Sequence, residues 1–294
     1  MKKKIAIIGT SPIMSILARE LVKKNDVTIF EKERKFGGAW SLSKYKNNFF
    51  SDKTNLIVPN RISDAKYLNS MNSYLHKRFN ISIKNSKDKI FLSKTVQYQP
   101  KLFYKYNITK LLKNDFLRKI QIKKKEIKNL KIKNNKIEIG SYKFDKLFIP
   151  MYSSINKINI ENKIYRPKYK KITSKHFFLI TNKIRKNNNF FYKEDFNEVF
   201  DRAQIIKKDK IYAFTGRIKK KFKKKNKSFL LKNINIDYEK NLLTKIISYS
   251  NFYRNEKQKR NLINICRKTT LIDLIDTSNF VTGYSFIKKY FNEL

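Results

Sequence analysis

The sequence contains very little cysteine, histidine, proline or glycine. Its single cysteine, Cys266, excludes an intrachain disulfide and a cysteine-rich zinc site. The two histidines, His76 and His176, do not stand at a metal-ligand spacing, so we expect no metal site and interpret both as surface or helix-capping residues. With 6 glycines and 5 prolines in 294 residues and a hydrophobic fraction of 40%, the chain is predicted to fold around a sizeable core.

Acidic residues are also scarce: 23 Asp and Glu stand against 69 Lys and Arg, which gives a formal net charge of +46. Two interpretations stay open. The charge serves an anionic partner, such as nucleic acid, anionic lipid or a phosphorylated substrate, or it reflects compositional drift without a function. The densest lysine run, residues 217–227, is either a mobile, self-repelling loop or a contact patch for anions or a membrane surface.

No apolar stretch of the sequence reaches the length of a membrane span. The N-terminus imitates a secretory signal, because lysines at positions 2–4 precede a largely apolar stretch, but no small-residue cleavage site follows. We therefore interpret residues 5–8 as a buried strand and expect a cytoplasmic protein.

Three of the six glycines lie within the first 38 residues, in a segment with a definite order of elements. Residues 5–8 predict a parallel strand buried on both faces, residues 13–21 a helix, and residues 27–30 a second buried strand that ends at Glu31. A double glycine at 37–38 follows. This order is the one required to hold the AMP and pyrophosphate half of a dinucleotide.

The glycine fingerprint of such a unit is only partly present. Gly9, Ser11 and Met14 stand at the three glycine positions, so only the tight-turn glycine is kept. Ser11 is small, although its Cβ restricts positive φ, whereas Met14 must either push the helix away or point aside. Glu31 follows Gly9 by 22 residues and is placed to accept hydrogen bonds from a ribose. A βαβ unit that binds nothing is the alternative.

The rest of the chain is predicted to be rich in strands. Residues 117–150 read as short strands with polar turns, and the apolar run 147–149 can return to the first sheet. Further strands are predicted at 176–181 and 211–215. Helices are predicted at 67–79, 241–253 and 284–294.

Residues 34–41, Arg-Lys-Phe-Gly-Gly-Ala-Trp-Ser, carry a resemblance to a known superfamily. The sequence here resembles the flavin-binding oxidoreductases of the glutathione-reductase-like superfamily, and it looks closest to the amine-oxidase, protoporphyrinogen-oxidase and UDP-galactopyranose-mutase branch. The resemblance implies FAD as the cofactor, with NAD(P) as the weaker alternative. It implies a cofactor site made of Gly9, Thr10, Ser11, Pro12, Ile13, Glu31, Lys32, Gly37, Gly38, Ala39, Trp40, Ser41 and Ile127.

The resemblance covers about half of the chain. Ile127 stands where the family has an aliphatic residue on the adenine, and residues 145–150 resemble the strand that returns to the first sheet. Two positions depart from the family: Ala39 replaces a frequent arginine, and the Gly-Asp pair that precedes the last helix is missing.

We therefore expect an α/β fold, with a Rossmann-like FAD/NAD(P)-binding parallel sheet and an inserted β-rich (α+β) substrate region. The expected divisions are 1–60 and 116–152 for the FAD-binding domain, 61–115 and 153–270 for the substrate region, and 271–294 for a C-terminal segment and helix.

The functional hypothesis is an FAD-binding oxidoreductase, amine-oxidase-like or UDP-galactopyranose-mutase-like, that acts on a small or sugar-like substrate. Because the flavin carries the redox chemistry, no protein nucleophile is required, and we assign no catalytic residue. Asp201 and Arg202 are interpreted as a structural ion pair or a substrate contact. One alternative is a non-catalytic Rossmann-fold binding protein. The other is a basic protein that binds nucleic acid or a membrane surface, for which the sequence contains no supporting recognition motif.

Overall fold

The structure is a computed structural model that describes most of the chain. The described residues are 1–33, 36–37, 42–46, 48–51, 70–77, 80, 84–85, 89–92, 104–105, 120–184, 190–193, 198–208, 210–223, 226–234, 241–277 and 280–292.

The described residues contain many strands and few helices. The strands are β1 (Lys4–Ile8), β2 (Asp26–Glu31), β3 (Leu42–Tyr45), β4 (Asn48–Ser51), β5 (Lys84–Asn85), β6 (Lys89–Leu92), β7 (Tyr104–Lys105), β8 (Gln121–Lys124), β9 (Asn129–Lys133), β10 (Lys136–Ile139), β11 (Tyr142–Phe144), β12 (Lys146–Pro150), β13 (Lys157–Ile160), β14 (Lys163–Tyr165), β15 (Lys170–Thr181), β16 (Phe190–Lys193), β17 (Phe200–Lys208), β18 (Ile211–Ile218), β19 (Asn241–Tyr253) and β20 (Ile272–Ile275). The helices are α1 (Pro12–Leu21), residues 70–77, Lys227–Lys232, Glu256–Cys266 and the C-terminal helix Phe280–Asn292.

The first sheet is parallel, with the strand order β20-β12-β1-β2-β8. Its central strand, β1, pairs with β2 through Ile7 and Ile29 and with β12 through Ile7 and Phe148. These apolar runs are buried because helices or a second sheet cover both faces, as parallel sheets require. The predicted strands at 5–8 and 27–30, and the return of residues 147–149 to this sheet, are confirmed.

One face of the parallel sheet is covered by α1, the C-terminal helix and residues 70–77. The buried core between them includes Ile7, Leu17, Phe148 and Tyr284. The C-terminal helix approaches α1 closely at Gly283, where an added Cβ would lie 2.7 Å from Cγ1 of Ile13. The absence of a side chain at Gly283 therefore allows these two helices to pack closely against each other.

The other face of the parallel sheet is covered by a second sheet, with the order β11-β10-β9-β13-β14, and by the helix Glu256–Cys266. Its β9–β10 hairpin turns at Asn134 and Asn135, whose φ values of 52° and 53° suit the mirror-image turn that such hairpins prefer. It is one of the polar turns predicted between the short strands of residues 117–150.

The third sheet is mixed and has the order β19-β15-β18-β17-β16-β6. Phe177, Phe200 and Phe214 lie on one face, together with the short helix Lys227–Lys232. The opposite face carries Phe178, which packs against Phe50 of β4. The strands predicted at 176–181 and 211–215 belong to β15 and β18. Together the three sheets confirm the expected α/β class with an added β-rich region.

Three sequence expectations are corrected or refined. Residues 241–253 were predicted as a helix but form β19, because they pair along nearly their whole length with β15, from Tyr253 opposite Lys170 to Asn241 opposite Thr181. His176 was expected at the surface or a helix end, but it is 4% exposed within β15 and contacts the Tyr249 ring edge to face. The predicted C-terminal helix exists and begins earlier, at Phe280.

Candidate functional site

The candidate site lies at the carboxyl edge of the parallel sheet, where ligands bind in open α/β folds. Because the strands are parallel, the segments that follow β1, β2, β12 and β20 leave the sheet at the same edge. These segments begin with Gly9, Lys32, Met151 and Asp276 respectively.

Gly9 makes the tight turn between β1 and α1. Its φ is +83°, a conformation that side chains rarely adopt, and its N–H donates to the carbonyl of Phe30 at 2.8 Å. Among the described residues, a Cβ built on Gly9 would meet nothing within 4 Å. The turn therefore presents open space at the position where a pyrophosphate would approach the backbone.

Thr10, Glu31 and Gly37 form one hydrogen-bonded unit, which we call the Thr10 network. The N–H and hydroxyl of Thr10 donate to Oε2 of Glu31 at 2.9 and 2.5 Å, and the N–H of Gly37 donates to Oγ1 of Thr10 at 2.9 Å. Oε1 of Glu31 accepts the N–H of Glu33 at 2.9 Å. Glu31 is 3% exposed, so this network fixes the first turn, the end of β2 and the start of the double-glycine loop to one another.

Ser11 is the N-cap residue of α1, with φ −56° and ψ 157°, and Pro12 occupies the first helical turn. The carbonyl of Ser11 accepts the N–H of Ser15 at 2.9 Å, but its side chain makes no capping bond. No acidic residue lies in the first turn of α1. The positive end of this helix is thus directed at the site without a counter-charge from its own first turn.

Ile13 and Met14 both belong to the hydrophobic core beneath α1. Met14 is fully buried in the cluster between α1, the parallel sheet and the C-terminal helix. The side chain at the third glycine position therefore forms part of the core under α1.

The remaining predicted site residues lie around this edge or outside the described residues. Lys32 is held away from the turn, since its Nζ donates to the carbonyl of Ser250 at 2.9 Å and lies 4.4 Å from the Phe252 ring centroid. Ile127 is 3% exposed, and its carbonyl accepts the hydroxyl of Ser154 at 2.9 Å. Gly37 lies at the start of the double-glycine loop with φ +98°. Four predicted residues lie outside the described residues: Gly38, Ala39, Trp40 and Ser41.

The residue that holds the loop after β12 is not among the sequence-predicted site residues. Arg254 is fully buried, and it donates to the carbonyls of Met151 and Ser153 at 2.7 and 2.9 Å and to that of Ile155 at 2.8 Å. Burial lowers the pKa of its guanidinium. The sequence around a lone arginine at the end of a strand does not reveal this role, because the partners of Arg254 are backbone carbonyls about a hundred residues earlier in the chain.

The sequence analysis also missed the strand that precedes the C-terminal helix. β20 pairs with β12 through Leu274 and Ile149, and it ends beside Asp276. The carbonyl of Asp276 lies 3.2 Å from the Cβ position of Gly283. The available signal was the short, mostly apolar run Leu-Ile-Asp-Leu-Ile at 271–275.

One face of the third sheet carries buried polar side chains. Gln204 and Thr215 are each 2% exposed and lie opposite each other across β17 and β18, while Thr215 also lies opposite Phe178. They therefore share the face that packs on Phe50, which stands twelve residues after Gly38. His176 belongs to the same face, two residues from Phe178 along β15.

Asp201 forms its ion pair with Arg217, which donates through Nε at 2.7 and 2.9 Å and through Nη2 at 2.6 Å. Both side chains are partly exposed. Asp201 therefore has a cross-strand partner in Arg217. The pairing expected with Arg202 falls on a side chain outside the described residues.

The lysine run that begins at Arg217 is anchored at its centre. Phe222 stacks on Phe229 with ring centroids 5.4 Å apart, and both rings pack on the core of the third sheet. The N–H of Lys219 donates to the carbonyl of Val199 at 2.8 Å. The described part of this run is thus attached to the sheet, with its lysines on the outside.

The architecture is that of a Rossmann-like α/β protein with an added β-rich region. No protein-family model matches the chain, and no curated protein matches it. Solved structures match it over nearly its full length. One is a CLA-producing fatty acid isomerase from P. acnes, with a TM-score of 0.62, 9% identity, and coverage of 99% of this chain and 98% of that chain.

Two further structures show the same likeness. A protein assigned as a protoporphyrinogen oxidase from Exiguobacterium sp. 255-15 has a TM-score of 0.63 and 8% identity, with 100% of both chains covered. A putrescine oxidase double mutant from a redesign of cofactor binding has a TM-score of 0.62 and 6% identity, with 100% of this chain and 99% of that chain covered. At such identities the likeness concerns the fold, which this chain shares with them.

Among the described residues, no helix is both long enough and apolar enough to span a membrane.

Proposed function

We propose that the chain is an FAD-binding oxidoreductase of the amine-oxidase-like type, with FAD held at the carboxyl edge of the parallel sheet. The observation that carries the proposal is the Thr10 network together with the open turn at Gly9. It joins the tight turn, the acid at the end of β2 and the first glycine of the double-glycine loop in one buried unit. The shared fold with two oxidases and an isomerase supports it.

The residues present are compatible with the AMP and pyrophosphate half of FAD. A carboxylate offers about four acceptor positions, and the hydrogen bonds from Thr10 and Glu33 to Glu31 use three of them. One acceptor position is left for a ribose hydroxyl. The pyrophosphate would lie over Gly9, against the positive end of α1. Gly37, Gly38 and Ser41 would follow it along the loop, and Ile127 would contribute to the adenine end.

FAD, when bound, supplies the acceptor for a hydride or for electrons from the substrate. The chain's own contribution is to orient the cofactor and to surround the substrate. We place the substrate region in residues 61–115 and 153–270, with the cofactor domain in 1–60 and 116–152 and a C-terminal segment from 271. The face of the third sheet that carries Gln204, Thr215 and His176 is the proposed substrate side, because it packs on Phe50 of β4, in the hairpin that follows the double-glycine loop along the chain. The substrate is a small molecule.

The first experiment is an absorption spectrum of the purified protein before and after addition of FAD. A flavin band near the usual visible maxima that stays with the protein through gel filtration supports the proposal. Parallel titrations with NAD+ and NADP+ distinguish the flavin from a nicotinamide cofactor. A protein that takes up none of the three contradicts the proposal.

The second candidate is a non-catalytic protein that keeps the Rossmann-like fold. The observation in its favour is that both oxygens of Glu31 are already engaged by the chain itself. The sugar-mutase alternative receives no support from the three solved structures described above, none of which is named as a mutase. Failure to bind FAD, with a cooperative unfolding transition intact, would favour the non-catalytic candidate.

A further inference from the structure

One stretch of surface, where the chain leaves β18 of the third sheet, carries cations without acidic partners. We call it the basic patch, and it consists of four exposed lysines: Lys220, Lys221, Lys223 and Lys227. None of the four forms an ion pair with the residues that the structure describes, whereas Lys131 and Lys136 of the second sheet are paired. Residues 210–236 contain no Asp or Glu. The basic patch is therefore a concentrated positive charge that its own segment does not neutralise.

The basic patch is held in a fixed position. The N–H of Phe222 donates to the carbonyl of Lys219 at 3.0 Å, which closes a turn within the patch. Asn226 caps the short helix Lys227–Lys232, because its side-chain oxygen accepts a backbone N–H of the first turn at 2.8 Å. Leu230 of that helix is fully buried in the core of the third sheet. Binding through these lysines therefore does not first have to order the backbone that carries them.

Apolar side chains stand among these lysines along the chain. Phe222, Phe229 and Leu231 are half-buried: they pack on the core of the third sheet and leave part of their surface to solvent. A lysine cluster accompanied by aromatic and aliphatic side chains matches the boundary between the headgroups and the acyl chains of an anionic bilayer. There the lysines meet anionic headgroups, while the apolar side chains lose contact with water.

A nucleic acid suits this surface less well. Phe222 and Phe229 stack on each other, with ring centroids 5.4 Å apart and 24° between the ring planes, so each ring covers a face that a base would need. The planar fork of arginine, which grips phosphates and base edges, is engaged at Arg217 by Asp201. The cations of the basic patch are lysines, which act as point charges.

We propose that the basic patch docks the protein on the surface of a bilayer that contains anionic phospholipid. The inference is independent of the proposed function, because the patch shares no residue with the Thr10 network or with the turn at Gly9. The attraction is electrostatic. Binding is therefore reversible and weakens as salt screens the lysines, over a Debye length of about 8 Å at physiological ionic strength.

The test measures partition of the full chain onto phosphatidylcholine vesicles with about one third phosphatidylserine, by co-sedimentation at physiological ionic strength. The patch variant combines Lys220→Gln, Lys221→Gln, Lys223→Gln and Lys227→Gln. The matched control removes the same charge from four exposed lysines of other elements: Lys133→Gln, Lys163→Gln, Lys168→Gln and Lys257→Gln. Each lysine near an anionic bilayer strengthens binding by about fivefold, so we expect the patch variant to lose about a hundredfold or more and the control to stay within about threefold of the parent.

Duplex DNA is titrated in parallel, because a protein with a net charge of +46 retains some affinity for any polyanion. An equal loss of vesicle binding in both variants means that the charge acts diffusely, and it overturns the inference. A patch variant that keeps its vesicle binding but loses DNA binding also overturns it and assigns the patch to a nucleic acid. So does a parent chain that does not bind the anionic vesicles, or one that binds phosphatidylcholine alone equally well.

Both variants are expected to keep a cooperative unfolding transition, so that lost binding reports the removed charges. FAD uptake by the same proteins is measured separately and is expected to be equal in the parent and both variants. A parent chain that binds anionic vesicles but takes up no FAD contradicts the proposed function and leaves the docking inference intact.

Discussion

At the scale of single residues, the candidate site depends on side chains that bond to backbone groups of distant segments and, between Thr10 and Glu31, to each other. Thr10 receives the Gly37 N–H and donates to Glu31, and Arg254 serves three carbonyls of the loop after β12. Such residues leave no recognisable spacing in a sequence. Gly9 and Glu31 were predictable because the tight turn and the end of the second strand each require a particular residue type.

Thr10→Val tests the Thr10 network with a side chain of nearly the same shape. The hydroxyl is lost, so Glu31 keeps a buried carboxylate with one donor fewer and the Gly37 N–H loses its acceptor. We expect the free energy of unfolding in urea to fall by roughly 2–3 kcal/mol, because hydrogen bonds to charged buried groups are the stronger ones. Thr10→Ser is the matched control, since it retains the hydroxyl. Equal stability of Thr10→Val and Thr10→Ser would show that the hydroxyl does not hold these segments together.

Arg254→Met removes the guanidinium that satisfies the carbonyls of Met151, Ser153 and Ile155. Buried carbonyls without donors are costly, so we expect a loss of about 3 kcal/mol or more in the free energy of unfolding, measured by chemical denaturation. Arg260→Met, at an exposed position of the helix Glu256–Cys266, is the matched control and should change stability by less than about 0.5 kcal/mol. A loss of similar size in both variants would contradict the role assigned to Arg254.

At the scale of elements, local sequence predicts a helix or strand correctly only where packing against the rest of the fold favours the same structure. α1 was predictable because its buried residues recur at helical spacing. Residues 241–253 contain paired apolar positions that also suit a helix, such as Leu242, Leu243, Ile246 and Ile247. The structure places them in β19 because β15 is long and offers its edge for pairing. Short apolar patterns cannot decide between these outcomes, and the tertiary partner does.

Gly283→Ala tests the contact between the C-terminal helix and α1. Alanine favours a helix by about 1 kcal/mol over glycine, yet its Cβ would lie 2.7 and 2.9 Å from Cγ1 and Cγ2 of Ile13. Overpacking of this kind costs about 1–3 kcal/mol, so we expect a net decrease in the thermal midpoint and weaker FAD binding, because α1 must shift.

The control for Gly283→Ala is the double variant with Ile13→Val, which shortens one branch of the crowded side chain. We expect it to recover part of the lost thermal midpoint. A higher midpoint for Gly283→Ala alone would mean that the two helices separate without cost.

At the scale of the whole molecule, the order of the parallel sheet could be anticipated and that of the third sheet could not. Gly9, Glu31 and the apolar runs 5–8, 27–30 and 147–149 define a familiar unit from local sequence. The third sheet joins β6 to β16 in parallel, two segments about a hundred residues apart with no motif in common. Its order follows from long-range packing, which a single sequence does not reveal.

The net charge of +46 is a property of the whole molecule and predicts how salt affects its stability. Like charges repel in the compact state, and salt screens this repulsion over a Debye length of about 8 Å at physiological ionic strength. The described ion pairs, such as Lys136 with Asp145, are at least partly exposed and lose little when screened.

We therefore expect the thermal midpoint to rise by a few degrees as sodium chloride is increased from about 10 to 150 mM. Sodium sulfate at equal ionic strength is the control. An equal rise in both salts means that the charge acts diffusely, as compositional drift predicts, whereas a much larger rise in sulfate indicates a site for anions. A midpoint that falls with salt would mean that attractive ion pairs outweigh the repulsion, contrary to the distribution of charge in this chain.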